Sequence, residues 1–191
     1  MVFITFDEII AIIGMTVFAG LIFQGIFKRS KPHDYDPLKQ IKKKFDLDDI
    51  KFAAMIVGPA IVFHEFAHKI AAISFGATAT LNAPWGMYGF VLLLRLINFP
   101  ILFFIGGYVA HTPLPPIESA IVSVAGPLVN LFLWIVPLIL LKNRMIKKRK
   151  WIEILGFTAK INMFLFIFNM LPIPGFDGFS FIRGLMAGLS V

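Results

Sequence analysis

The sequence predicts an all-α integral membrane protein of about four transmembrane helices, with a re-entrant or interfacial β-rich segment between the second and third. Three observations predict it. Of the 191 residues 58% are hydrophobic and 22 are Phe, and the mean hydropathy of +0.84 lies well above that of a soluble globular domain. The apolar residues form runs long enough to cross a hydrocarbon core. Finally, 14 of the 18 Lys and Arg residues fall in two short connections between those runs. That distribution follows membrane topology, so the net charge of +7 is not read as a nucleic-acid footprint. The length suits one domain and hardly two.

Residues 8 to 27, EIIAIIGMTVFAGLIFQGIF, make the first span. The preceding MVFITFDEII has acids where a secretory signal carries Lys or Arg, and no small-residue cleavage site follows the apolar run, so this span is expected to be retained. The basic connection 28 to 51 comes next, diluted by Asp34, Asp36, Asp46, Asp48 and Asp49. Its stretch DPLKQIKKKF has short helical character, and residues 1 to 49 form the first helix and its connecting loop. Residues 50 to 75 are a second span, apolar except for a charged cluster in its C-terminal half. Residues 117 to 141 and 151 to 171 are two more, joined by KNRMIKKRK at 142 to 150. Both basic connections read as solvated loops beside lipid headgroups.

The stretch from 76 to 116 is ambiguous. FVLLLRLINFPILFFIG, residues 90 to 106, is apolar enough for a fifth helix but short, with Arg95 and Pro100 inside it. If it crossed, the two basic connections would lie on opposite faces; if it does not, they share one, as the charge bias prefers. GATATLNA upstream alternates like a strand, and Gly106, Gly107 and PLPP at 113 to 116 punctuate a non-helical path. Residues 77 to 112 are therefore read as a β-rich excursion, tolerable at membrane depth when packed on protein or lining a wet cavity.

With no cysteine in the chain, a metal can be held only by His and carboxylates. His64, Glu65 and His68 form HEFAH inside the second span. At 3.6 residues per turn the two histidines sit one above the other and can reach one tetrahedral metal. Glu65 lies beside them, where it can take a proton from a bound water. HExxH alone occurs by chance, and a His on an apolar helix is more often packed than ligating. Two imidazoles and a carboxylate in a lipid-spanning helix, however, are costly without a function.

A catalytic zinc wants a third protein ligand and an open position. Among the 11 acidic residues, Glu65 and Asp177 lie deep in apolar surroundings; His33 sits in the first connection and His111 in the excursion. Asp177 ends the run NMLPIPGFDG, residues 169 to 178. Pro172 and Pro174 must open the helix there, and Gly175 and Gly178 permit a turn that aims the carboxylate inward. A solvated Asp at an ordinary helix terminus is the competing reading.

HEFAH followed by NMLPIPGFDG in a later span closely resembles the paired HExxH and NxxPxPxxDG motifs of the site-2 proteases, intramembrane zinc metalloproteases. AGPLVN at 125 to 130 is similar to that family's middle core helix, and FIGGYVA at 104 to 110 to its Gly-Gly segment. The resemblance covers residues 50 to 178, the three-helix catalytic core, and leaves 179 to 191 as a short C-terminal tail. It implies one zinc ion per chain, held by His64, His68 and Asp177, with Glu65 as general base. Asn169 would hold the substrate carbonyl or the developing oxyanion. Gly126, Pro127 and Asn130 would be structural, the Asn through a cross-helix hydrogen bond. Phe179 stands where the family commonly has a second Gly, and no sensory domain of the PDZ or CBS type fits in 191 residues. Lys69 and Lys160, also within spans, are read as snorkelling or lining a polar entrance.

The implied function is zinc-dependent endopeptidase cleavage in or near transmembrane segments of substrate proteins within the bilayer, with the β-rich excursion around residues 78 to 82 offering an edge to the extended chain. A catalytically inactive scaffold of the same fold and a metal transporter are the alternatives; the latter predicts ligands spread along a path and repeated halves. The chain is expected to be a multi-pass protein of the cell membrane, of open oligomeric state. Charge bias would turn the site away from the cytoplasm. The resemblance implies a site open to the cytosol, and the acids diluting the first connection favour that side.

Overall fold

The apolar runs become helices in the computed structural model, which describes residues 3–27, 46–97 and 106–190. Helix α1, Phe6–Phe23, opens with a capping box: Thr5 Oγ accepts from the Glu8 amide at 3.3 Å while the Glu8 carboxylate accepts from the Thr5 amide at 2.8 Å. Helix α2, Leu47–Ser74, is capped by Asp46, whose carboxylate accepts from the amides of Asp48 and Asp49. Two strands and one helix intervene: β1 (Ala79–Asn82), α3 (Trp85–Leu96) and β2 (Tyr108–His111). Helix α4, Pro116–Lys142, begins on a proline, at a position whose missing amide is no loss. Helices α5, Arg149–Asn169, and α6, Asp177–Leu189, complete the order.

Among the described residues α1, α2, α4 and α5 are long and apolar enough to cross a membrane. Their outward faces are hydrocarbon, with Ile13 58% and Phe132 62% exposed, which suits lipid contact. Between helices, lipid supplies no hydrophobic drive, so close backbone approach at small residues must hold them. Gly20 lies against Ile50 and Ala54, and Gly58 against Thr16, so α1 and α2 run antiparallel. Helices α2 and α4 are antiparallel too, because His68 meets Val122 while Ala60 and His64 meet Asn130.

These pairings settle the ambiguous stretch. The C-terminal end of α2 and the N-terminal end of α4 share a face, so the excursion between them returns to the side it left. The C-terminal end of α1, the N-terminal end of α2 and the connection from α4 to α5 consequently lie on the opposite face. Residues 28–45, with the helical character expected of DPLKQIKKKF, lie outside the described residues, as do 98–105.

The excursion is less strand-rich than the sequence reading. GATATLNA supplies β1, which pairs antiparallel with β2, Leu81 opposite Val109, but residues 85–96 between them, Leu-rich and free of proline, form helix α3. Its 12 residues span about 18 Å, too little for a hydrocarbon core of about 30 Å. Tyr88 stacks on Phe18 at 4.9 Å between ring centroids and donates to the Gly106 carbonyl. At the far end Arg95 donates to the carbonyls of Ile22 and, at 2.6 Å, Gln24. It thereby satisfies acceptors that the end of α1 leaves open. A charge inside an apolar run is explained by that backbone contact.

Residues 179–189, part of the stretch read from sequence as a short tail, lie in α6. This helix packs along α4, with Gly184 on Pro116 and Ala120 and Gly188 on Ile117, and forms a wall of the cleft described next.

Candidate metal centre

Helical spacing puts His64 and His68 on one face of α2, and their Nε2 atoms lie 3.0 Å apart. Asp177, the first residue of α6, brings Oδ2 to 3.1 Å from His64 Nε2 and 3.4 Å from His68 Nε2. Donor–metal bonds of about 2.0–2.2 Å give a tetrahedral edge of about 3.3–3.6 Å, so this triangle is close to one face of a zinc site. These three residues could hold a metal ion. His111 is not among them: its Nδ1 faces the Thr112 carbonyl at 2.8 Å. His33 lies outside the described residues.

Hydrogen bonds behind the imidazoles assign their tautomers. Asn130 Nδ2 donates to the Ala60 carbonyl at 3.1 Å and to Asn162 Oδ1 at 2.8 Å, which leaves Asn130 Oδ1, 2.6 Å from His64 Nδ1, as an acceptor. His68 Nδ1 faces the Val122 carbonyl at 2.7 Å. Each ring therefore carries its proton on Nδ1 and turns the Nε2 lone pair toward Asp177, the form in which histidine ligates. Gly126 makes room. A side-chain carbon there would overlap Nε2 of both histidines, so the donor set fits an ion only with glycine at this position of α4.

Asp177 reaches the cluster because the chain leaves α5 at Met170 and runs through Pro172 and Pro174. Gly175 then takes a left-handed φ of 97° that other residues rarely adopt. Gly178 acts differently: a side-chain carbon would strike the Met170 carbonyl, so its smallness seats α6 against the end of α5. Its carboxylate supplies the anionic donor of the set.

Glu65 is 5% exposed, with the Gly107 backbone packed against its side chain. It lines a cavity of about 430 Å³ together with Asn169, Asp177, Val109, His111 and Ser180. Asn169, the last residue of α5, therefore shares this space with the cluster. The sequence reading foresaw a cross-helix bond for Asn130 but not its partner, His64. It missed Asn162, fully buried on α5, although an Asn within an apolar span is itself a signal. Lys69 does not snorkel: it is buried and paired with Glu8, a partner 61 positions away that no local pattern marks. Lys160 instead remains exposed, its amine 5.9 Å from the centre of the Phe157 ring.

The family model described as peptidase family M50 matches residues 137–190, a stretch that contains NMLPIPGFDG and not HEFAH. A protein of Methanocaldococcus jannaschii named "Putative zinc metalloprotease" is 35% identical over 127 residues, 64% of this chain. The match spans 64% of that protein's own length, less than two thirds. No solved structure matches the chain. Zinc is the ion that family and relative imply, and the donor set has the composition it takes. The paired motifs, the family match and the aligned protein make this chain similar to peptidase family M50 over the stretches they cover.

Proposed function

We propose that this chain is an intramembrane zinc endopeptidase that cleaves transmembrane protein substrates, with His64, His68 and Asp177 as metal ligands. One observation carries the reading: three donors on two helices converge within hydrogen-bonding distance of one another while Glu65 lines the cavity beside them. Zinc in that position would supply Lewis acidity, polarising a scissile carbonyl and acidifying water. Glu65 takes the proton of the attacking water as the new C–O bond forms. It returns that proton to the leaving nitrogen as the C–N bond breaks. The Asn169 amide donates to the carbonyl oxygen as negative charge develops there.

A helical substrate hides its carbonyls in its own hydrogen bonds and must unwind to be cut. The hairpin supports an extended pose, through a different strand from the one expected. Thr112 donates its amide to the Thr78 carbonyl, so by alternation the bonded pairs are Thr80 with Ala110 and Asn82 with Tyr108. The amide of Leu81 points away from β2 and is taken by Glu8. Those of Val109 and His111 point away from β1, and both residues line the cavity. The edge offered to substrate is therefore that of β2, residues 108 to 111, and not the 78 to 82 edge.

The test is zinc analysis combined with cleavage of a generic transmembrane substrate by wild type and Glu65→Gln. The protease reading requires that the variant keep one zinc per chain and lose cleavage by about 10²–10⁴-fold. An inactive scaffold would cleave nothing in either form, and a transporter would show altered metal flux.

A further inference from the structure

Where α1 meets α2 and the hairpin, one carboxylate holds three segments together. Glu8 and Lys69 are 3% and 2% exposed. Glu8 Oε1 accepts from Lys69 Nζ and, at 2.8 Å, from the amide of Leu81. Its other oxygen accepts from the amide and hydroxyl of Thr5 at 2.8 and 3.3 Å. Lys69 follows the candidate ligand His68 directly on α2, and Leu81 stands opposite Val109 of the cavity edge. Glu8 thus connects the helix that carries the histidines to the strand that positions the substrate edge.

We infer that Glu8 is a positioning residue, whose carboxylate, anchored by Lys69, sets the height and register of the hairpin relative to the metal centre; this rests on the protease reading above. A buried ion pair is a costly way to join two helices. Helices α1 and α2 already pack closely through Gly20 and Gly58, so their association does not require it. What apolar packing does not provide is an acceptor for the outward amide of β1. With Leu81 held by Glu8, β1 has that amide occupied, and β2 keeps the edge that faces the cavity. Shifting the hairpin by an ångström would displace a bound segment from the scissile position, and misplacement on that scale costs up to about 10²-fold in rate.

Two double variants separate positioning from helix pairing. In Glu8→Gln/Lys69→Met the buried charges are gone but the amide oxygen still accepts from Leu81. In Glu8→Met/Lys69→Met the junction is apolar and that acceptor is lost. Both are expected to hold one zinc per chain, and neither leaves an unpaired buried charge. The Gln variant should cleave a transmembrane substrate within about threefold of wild type, whereas the Met variant should lose about 10- to 100-fold. Amide hydrogen exchange of a peptide covering 79–82 should be faster in the Met variant alone. Equal cleavage and equal exchange in the two would overturn the inference, and so would loss of zinc from both, which would make the pair a determinant of helix packing. If exchange differs as expected but wild type itself cleaves nothing, the protease reading fails and the hairpin tether stands.

Discussion

Asn130 Oδ1 lies 2.6 Å from His64 Nδ1, and this contact ties α4 to α2 on the side of the imidazole opposite the Nε2 that faces Asp177. Asn162 on α5 holds the Asn130 amide in turn, so three helices fix one histidine tautomer. Removing the acceptor with Asn130→Ala is expected to weaken zinc binding by about 10- to 100-fold, measured by competition with a chelator. Unchanged affinity would detach Asn130 from the metal site and leave it a packing residue.

Gly126→Ala adds one carbon where both Nε2 atoms need space. The variant is expected to bind almost no zinc. Gly156→Ala, on α5 with nothing within 4 Å of the added carbon, should bind zinc fully and gain about 0.5–1 kcal/mol of helix stability. Metal analysis after purification, with thermal unfolding of both variants, checks this. One zinc per chain in Gly126→Ala would refute the crowding argument.

Asp177→Asn preserves shape and removes the anionic donor. Because a neutral amide is a weaker zinc donor than a carboxylate, the variant should lose zinc at a chelator concentration that leaves wild type loaded, and lose cleavage with it. Glu65→Gln should keep zinc under the same treatment. An Asp177→Asn protein as tightly loaded as wild type would exclude Asp177 as a ligand.

Val109→Pro deletes an amide that points into the cavity side of β2 while sparing the hydrogen bonds to β1, a substitution that edge strands accept. The expected loss is about 3- to 10-fold in kcat/KM, the worth of one hydrogen bond, with zinc content unchanged. A variant as active as wild type would mean that substrate does not align on β2.

Since the chain contains no cysteine, single cysteines at 36 and 146 report topology cleanly. Antiparallel pairing of α1 with α2 and of α2 with α4 requires both to react with an impermeant reagent from the same side. With a site open to the cytosol, that side is the exterior. Reaction of the two from opposite sides would contradict the fold.

What local chemistry can specify was legible in the order of the residues. Run lengths marked the four spans, the i, i+4 spacing of HEFAH aligned two imidazoles, and the proline-broken NMLPIPGFDG ended α5 short of Asp177. The composition also restricted any metal to nitrogen and oxygen donors, since no thiolate exists. Each of these follows from neighbours a few residues apart. That Asp177 closes on the histidines, that Asn130 and Asn162 set the His64 tautomer, that Lys69 is anchored by Glu8 and that β2 supplies the open edge emerges from the packing of the helices. Those relations join residues 30 to more than 100 positions apart, and they depend on how closely the helices approach. Gly126 sets that approach at the metal centre, and its role becomes visible only when α4 lies against α2.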